Sequence, residues 1–298
     1  MERTPNVKVD DGSLRGEDTE MLAPHSQRTS TRSLVAFFTL AFALSWWPWA
    51  LMLLNPNSLT LIPWGPLVAA FIMVAILAGR RGLKALISSM VRWRVGFRWY
   101  AVAILLPVTI TLLAAYINVL LGAQAPTAAN FNDWYTFPFV LLVTFFLKGP
   151  LTEEVAWRGF ALPRLIERMS PVAASLLLGV IWALWHLPLL VSDPSVQRPP
   201  VQFVVAIVAM SILFTWMYLR TSGCVLLATL MHAMINSLAA FVFPTFQGDG
   251  YGRLWWIYAG VLSAAAVVVM VSGLSSCAAE GRPGALTSGN TTTVRMES

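Results

Sequence analysis

Eight apolar runs, each close to the length needed to cross a membrane, dominate this sequence. A transmembrane helix needs about 20 residues to span roughly 30 Å of hydrocarbon. The runs cover residues 34–54, 62–79, 99–121, 137–157, 172–191, 201–219, 223–243 and 254–274. With 57% hydrophobic and only 11% charged residues, the composition excludes an ordinary water-soluble domain. The sequence therefore predicts an all-α fold: a polytopic membrane protein built as a bundle of about eight transmembrane helices.

Polar segments flank these runs and divide the chain into three predicted parts. Residues 1–33 are polar and predict a disordered N-terminal tail, whereas residues 275–298 are rich in Gly, Ser and Thr and predict a flexible C-terminal tail. The first apolar run resembles the core of a signal peptide, but it lacks a small-residue cleavage site. We therefore expect a retained anchor and one membrane domain over residues 34–274.

Basic residues are concentrated in alternate loops, which predicts the orientation of the chain. Two dense groups follow the second and fourth runs: Arg80, Arg81, Lys84, Arg92, Arg94 and Arg98, and then Arg158, Arg164 and Arg168. The alternate loops hold only Arg198 and Arg253. Because basic loops stay on the cytoplasmic side, we expect a multi-pass protein of the cell membrane with both termini cytoplasmic. The net charge of +6 then reflects orientation, and no nucleic-acid partner is expected.

The basic segment from Gly82 to Arg98 has two interpretations. Leu83, Leu86 and Met90 recur at helical spacing among the basic residues, which is typical of an amphipathic helix on the inner membrane surface. The segment fits equally well a charged loop that only fixes the topology. The sequence favours neither interpretation over the other.

Three charged side chains stand in or beside the fourth run: Glu153, Glu154 and Arg158. Ionisable groups at membrane depth are costly, so their presence indicates function. On a helix, Glu154 and Arg158 are four positions apart with the acid first, which favours an ion pair. Glu153 points about 100° away from Glu154 and is left available. The alternative is that both acids are solvated at the cytoplasmic end of the helix.

Two histidines and an asparagine add polar groups to two further runs. His186 lies in the fifth run, and His232 and Asn236 lie four residues apart in the seventh, on one helix face. A lone histidine on an apolar face is more often a packed core residue than a catalyst. Polar groups in lipid must face the bundle interior and find partners there. We therefore expect these residues to join the charged ones in a composite site, without His25 of the polar tail.

The order and spacing of these residues resemble the three motifs of the CPBP intramembrane proteases. The motifs are Glu153-Glu154-x-x-x-Arg158, an aromatic residue four positions before a histidine (Trp182 and His186), and His232-x-x-x-Asn236. The resemblance covers about residues 140–240. Trp182 stands where the family usually has Phe, a substitution that keeps an aromatic ring. The family includes type II CAAX prenyl endopeptidases and bacterial proteins linked to bacteriocin processing or self-immunity.

The resemblance implies an eight-helix bundle with a conical cavity open toward the cytoplasmic side or the bilayer. It also implies an intramembrane endopeptidase that acts on a membrane-associated peptide or protein within the lipid bilayer. Glu153 and His186 would activate a water, and His232 and Asn236 would stabilise the oxyanion. Glu154 and Arg158 would hold the site together.

Metal dependence is the rival mechanism. Glu153, His186 and His232 could together form an open catalytic zinc site, and the family has often been labelled metalloprotease. The sequence has no His-Glu-x-x-His run, and each of the three residues lies in a different apolar run. We therefore expect a glutamate-dependent enzyme without a cofactor and keep zinc as the alternative.

Two functions other than proteolysis remain compatible with the sequence. A non-catalytic membrane scaffold or bacteriocin-immunity protein could keep the same polar cluster for packing or partner binding. A proton-coupled transporter could use intramembrane acids and histidines as a relay, although the chain has no evident inverted repeat to support it. The identity of the substrate, including whether it is prenylated, does not follow from the sequence.

Overall fold

A computed structural model describes residues 30–52, 61–192 and 199–274. Most of these residues are helical, and no β-strand occurs among them. The α-helices are α1 (Thr31–Met52), α2 (Gly65–Met90), α3 (Phe97–Leu120), α4 (Phe137–Leu147), α5 (Pro150–Ala156), α6 (Leu162–Ile166), α7 (Pro171–Trp185), α8 (Leu187–Ser192), α9 (Pro200–Arg220), α10 (Val225–Val242) and α11 (Gly248–Val269). The predicted tail over residues 275–298, His25 and most of the tail over residues 1–33 lie outside the described residues.

The helices agree with the predicted membrane protein. In the described ranges, seven helical regions are long and apolar enough to cross a membrane. The predicted fifth run forms the shorter helix α7, which has 15 residues, followed directly by α8. Each of the eight predicted runs thus corresponds to a helical region, and the polytopic all-α fold is confirmed.

The prediction that the fourth run forms one continuous helix is wrong. The run is broken at Lys148 and Gly149, after α4 and before α5. Gly149 has φ 110°, a conformation that side chains with a Cβ rarely adopt, and Pro150 occupies the first turn of α5, where its missing N–H costs nothing. A π-helical turn over Trp157–Ala161 then connects α5 to α6. Such turns are rare and frequent at functional sites.

The helix formed by the second run extends further than the predicted run, residues 62–79. Helix α2 continues past residue 79 to Met90, with a kink at Gly79, where φ is 54°. Beyond the kink, Leu83, Leu86 and Met90 pack against the protein core, and residues 91–96 are irregular before α3 begins. The basic segment is therefore part helix and part loop, and its apolar side chains contact the bundle.

Large apolar side chains occupy both the interior and the outer surface of the bundle. The fully buried ones include Trp157, Trp182, Trp185 and Phe160. Others, such as Ile76 at 72% exposure, point outward, as lipid-facing residues do. Helix α7 approaches α9 closely because Gly179 faces it: a Cβ there would lie 3.0 Å from the Cα of Val208. The closely packed helices α7 and α9 form one wall of the site.

Candidate active site

Gly149 and the first turn of α5 position Glu153. The Glu153 backbone N–H donates to the carbonyl oxygen of Gly149 at 2.8 Å, which fixes the backbone of the first turn. Its Oε1 occupies the space where a Cβ on residue 149 would stand. Only glycine therefore combines the positive φ with room for the carboxylate. Glu153 is held at 4% exposure.

Helix α7 brings two side chains to this carboxylate. The indole Nε1 of Trp182 donates to Oε2 of Glu153 at 2.5 Å. One turn later, Nε2 of His186 lies 4.0 Å from the same oxygen. The His186 Nδ1 lies 2.9 Å from the carbonyl oxygen of Trp182, so the imidazole is fixed by its own helix. Glu153, Trp182 and His186 form the first half of the site.

Glu154 has a separate set of partners behind the cavity wall. Its Oε1 lies 3.2 Å from Nη1 of Arg158 and 2.9 Å from Nδ1 of His232. The guanidinium of Arg158 stacks 5.0 Å from the ring centre of Trp182 and 4.9 Å from that of Phe214. Glu154 and Arg158 are fully buried. This second half of the site joins α5, α9 and α10 and is compatible with the structural role expected for Glu154 and Arg158.

A cavity of about 1200 Å³ lies against the first half of the site. Glu153, His186, His232 and Asn236 all contribute to its wall. Among its lining residues in the described chain, Lys148 and Glu153 are the acidic or basic ones other than histidine. Aromatic rings from α9, α11 and the segment that follows α10 form much of the remaining wall: Phe203, Phe243, Phe246, Tyr251, Trp255 and Tyr258. The volume exceeds the usual range of small-molecule pockets, about 300–1,000 Å³.

The structure brings all six predicted site residues to one region, four on the cavity wall and two behind it. Their roles in a reaction stay predictions. Sequence reasoning missed the contact of Trp182 with Glu153 and the requirement for Gly149. The signals were present: a buried indole N–H usually finds an acceptor, and a Gly-Pro pair marks a break before a helix.

Comparison with known proteins supports the same family. A family model described as "Type II CAAX prenyl endopeptidase Rce1-like" matches residues 134–238. A curated protein from Methanococcus maripaludis, named CAAX prenyl protease 2, is 31% identical over 145 residues. The resemblance to the CPBP proteases is thereby confirmed. The matched stretch extends from the start of α4 into α10 and contains every predicted site residue.

The CPBP match leaves part of this chain uncovered. The alignment includes 45% of the chain and 53% of the relative, so the chain spans about half the length of the curated protein that it matches. The family-model match ends before α11, yet α11 supplies Tyr251, Trp255 and Tyr258 to the cavity wall. The matched stretch therefore holds the polar residues, and part of the space beside them is formed by residues outside the match.

The zinc alternative can be tested against the geometry of the CPBP motif residues. Within the described parts of the chain, no group of three or more His, Cys, Asp or Glu side chains is arranged to hold a metal ion. His232 directs Nδ1 to Glu154, whereas His186 faces Glu153. Glu153 and His186 thus face each other at 4.0 Å without a direct hydrogen bond, whereas His232 is bonded to Glu154 through Nδ1. Zinc dependence is therefore left to the chelator experiment proposed below.

Proposed function

We propose that this protein is an intramembrane endopeptidase that hydrolyses peptide bonds of a membrane-associated substrate. One observation carries the proposal: Nε2 of His186 and Oε2 of Glu153 lie 4.0 Å apart on the wall of a cavity of about 1200 Å³. A carboxylate and an imidazole beside such a space can activate a water where a polypeptide binds. The name of the curated relative, a CAAX prenyl protease, supports the same reaction class.

The proton positions on His186 follow from its partners. Nδ1 lies 2.9 Å from a carbonyl oxygen, which can only accept, so Nδ1 carries the proton. In the neutral imidazole, Nε2 is then the acceptor. A water between Nε2 and Oε2 of Glu153 can donate to both, because two atoms 4.0 Å apart are within reach of one oxygen. Glu153 and His186 act together as the general base.

Hydrolysis then needs no covalent enzyme intermediate. The water oxygen adds to the scissile carbonyl carbon while one of its protons passes to Glu153 and His186. The π electrons of the carbonyl move to its oxygen, which becomes an oxyanion. When the C–N bond breaks, the stored proton passes to the leaving nitrogen, and an amine and a carboxylic acid are released.

His232 and Asn236 are the proposed donors to the oxyanion. They stand one turn apart on α10 and both line the cavity. Because Oε1 of Glu154 also accepts from Arg158, we assign Glu154 as the acceptor and Nδ1 of His232 as the donor. His232 must then carry both protons to donate from Nε2 as well. One oxyanion donor is worth about 10²–10³ in rate in known enzymes.

The first experiment compares membrane peptides by mass spectrometry between cells that carry the wild type or Glu153→Gln. The substitution keeps the size of the side chain and removes its basicity. We expect cleavage fragments that appear with the wild type and are absent with Glu153→Gln, and their parent protein then serves as the substrate in later assays. Identical fragment sets, with both proteins present in the membrane at equal levels, would contradict the proposal.

The same variant separates proteolysis from the other two functions. A scaffold or immunity protein needs only the shape and hydrogen bonding of residue 153, so Glu153→Gln should protect cells as well as the wild type does. A proton-coupled transporter would show substrate flux driven by a pH gradient in reconstituted vesicles. Loss of fragments without such flux supports the endopeptidase.

A chelator experiment tests the zinc alternative. We expect purified protein in metal-free buffer with chelator to cleave the identified substrate at the rate of untreated protein. A complete loss that only zinc restores would show that the reaction depends on the metal. Glu153→Gln in the same buffers provides the baseline without the general base.

A further inference from the structure

The cavity lies toward one end of the bundle. Many of its lining residues come from the first half of α9 (Phe203 to Met210), from α10 at and after His232, and from the first half of α11 (Tyr251 to Tyr258). Others lie at the break between α4 and α5 and around the end of α7. Pro63, just before α2, also lines it. These parts of α9, α10 and α11, together with Pro63, lie toward the same end of the helical bundle. We call this the mouth end.

Side-chain contacts between helix ends confirm that several further helix termini lie at the mouth end. Asn118, near the end of α3, donates to the carbonyl oxygen of Gly250 at the start of α11 and accepts from Arg253. Trp46 of α1 donates to the carbonyl oxygen of Trp185, the last residue of α7. The ends of α1, α3 and α7 and the starts of α2 and α11 therefore surround the mouth.

The basic loops lie at the opposite end. Arg92 donates to the carbonyl oxygen of Ser222, which places the α2–α3 loop beside the α9–α10 turn. Arg168 donates to the hydroxyl of Thr31, which places the end of the α6 region beside the start of α1. The basic residues at this end are Arg32, Arg80, Arg81, Lys84, Arg92, Arg94, Arg98, Arg164, Arg168 and Arg220. We call this the basic end.

The mouth end has the opposite charge pattern. The described parts of its connecting segments, residues 61–64, 121–136, 199 and 243–250, contain no Lys or Arg and hold the acidic residues Asp133 and Asp249. Arg253, one turn into α11, is paired with Asn118. Loops rich in Lys and Arg stay in the cytoplasm. A bundle that obeys this rule has its basic end inside and its mouth outside.

This placement conflicts with the expected cavity open toward the cytoplasm. Either the charge rule fails for this chain, or the cavity opens on the other side of the membrane. We infer that the cavity opens on the extracytoplasmic face and that the substrate is a membrane-attached polypeptide whose cleaved segment has already crossed the membrane. The part that concerns the substrate rests on the proposed endopeptidase function.

The cavity wall fits such a segment in an extended, predominantly apolar form. Phe243 and Trp255 pack at 4.9 Å between ring centres, and Phe203 and Trp255 at 6.2 Å, so these three lining residues form one connected aromatic surface, which reaches His186 through Phe203. Aromatic side chains offer large apolar contact area. A prenylated tail on a cytoplasmic protein would approach from the basic end, where the bundle has no part of this cavity among its described residues.

Cysteine labelling tests the orientation without reference to activity. We would place Gln247→Cys at the mouth and Ser88→Cys at the basic end, both on exposed positions, in full-length protein with Cys224 and Cys277 replaced by Ala. A membrane-impermeant maleimide is then applied to right-side-out and inside-out vesicles. Gln247→Cys should label in right-side-out vesicles and resist in inside-out ones until detergent is added. Ser88→Cys should show the reverse.

Two further measurements keep the inference falsifiable. Asp249→Cys, also exposed at the mouth end, repeats the test if Gln247→Cys does not accumulate. Reversed labelling, or equal labelling from both sides, would overturn the inference. Glu153→Gln should label like its parent, so a failure of the proposed function leaves the labelling result intact.

The fragments lost in Glu153→Gln cells test the substrate. Their cleavage sites should lie in extracytoplasmic segments of membrane proteins. Cytoplasmic sites would overturn the substrate assignment even if labelling places the mouth outside. Absence of any lost fragment would overturn it together with the endopeptidase proposal, while the orientation would still be decided by labelling.

Discussion

Glu153 and Glu154 are adjacent and almost equally buried, yet their surroundings differ in kind. Glu153, at 4% exposure, faces the cavity and contacts Trp182 and His186. Glu154 is fully buried and is held by Arg158 and His232. Successive helix positions diverge by about 100°, which is sufficient to separate them. Burial alone therefore does not distinguish the two carboxylates, whereas access to the cavity does.

Mutations in the two halves of the site should also differ in whether they lower stability or activity. A fully buried charged group that loses one of its charge-assisted hydrogen bonds destabilises the fold. A carboxylate at a cavity wall can lose its charge with less effect on the fold, because no full opposite charge depends on it. The Glu154 half should therefore respond to mutation through stability, and the Glu153 half through activity.

The largest expected effect is on cleavage by Glu153→Gln. Loss of the proposed general base should reduce the cleavage rate of the identified substrate by about 10²–10⁴-fold, with thermal unfolding in detergent close to that of the wild type. The measurement is the initial cleavage rate in proteoliposomes beside a melting curve. A variant that cleaves at the wild-type rate would remove Glu153 from the mechanism.

Arg158→Met tests the opposite half. It removes the guanidinium that donates to Oε1 of Glu154 while His232 stays bonded to the same oxygen, so we expect a loss of about 1.5–3 kcal/mol in the free energy of unfolding, measured by denaturant titration in detergent. Arg168→Met is the matched control: the Arg168 side chain is exposed and donates to the hydroxyl of Thr31, and its loss should cost below about 1 kcal/mol. Equal stabilities for the two variants would contradict the division between the halves.

Much of the fold was predictable because it depends on patterns that are local in sequence. Apolar runs near 20 residues predict helices wherever lipid is the solvent, and each run corresponds to a helical region. The errors arose where the chain departs from straight helices. The break at Gly149 and the continuation of α2 beyond Gly79 depend on single backbone angles, 110° and 54°, and on packing against other helices.

The site was predictable as a group of residues and less so as a set of contacts. Spacing of four residues predicts the pair of Glu154 and Arg158, which forms at 3.2 Å. The bond of His232 to Glu154 joins residues 78 positions apart, and no spacing rule reaches so far. The partner of the Trp182 indole is likewise set by the approach of α7 to α5.

Gly149→Ala examines how the cavity half is positioned. A Cβ at this residue would collide with Oε1 of Glu153, and φ of 110° is strained for alanine. Displacement of the carboxylate by about 1 Å should lower the cleavage rate on the order of 10²-fold. Gly260→Ala, at a position of α11 with nothing within 4 Å of its added Cβ, should cleave normally. A similar loss in both variants would indicate a general defect.

The smallest effect, and the sharpest comparison, is expected for Trp182→Phe. Phenylalanine keeps the aromatic ring that stacks on Arg158 but removes the N–H that donates to Glu153. A hydrogen bond to a charged group is worth about 1.5–3 kcal/mol, so the cleavage rate should fall by about 10- to 100-fold while stability changes less than in Arg158→Met.

Trp157→Phe provides the control for that variant. Its Nε1 is buried and has no hydrogen-bond partner among the residues that the structure describes, so the same atoms are removed without loss of a bond to the carboxylate. Phe is also the residue that the CPBP motif usually carries at the position of Trp182. If Trp182→Phe cleaves as fast as Trp157→Phe, the indole contributes only its ring, and Glu153 is held by Gly149 and the helix start alone.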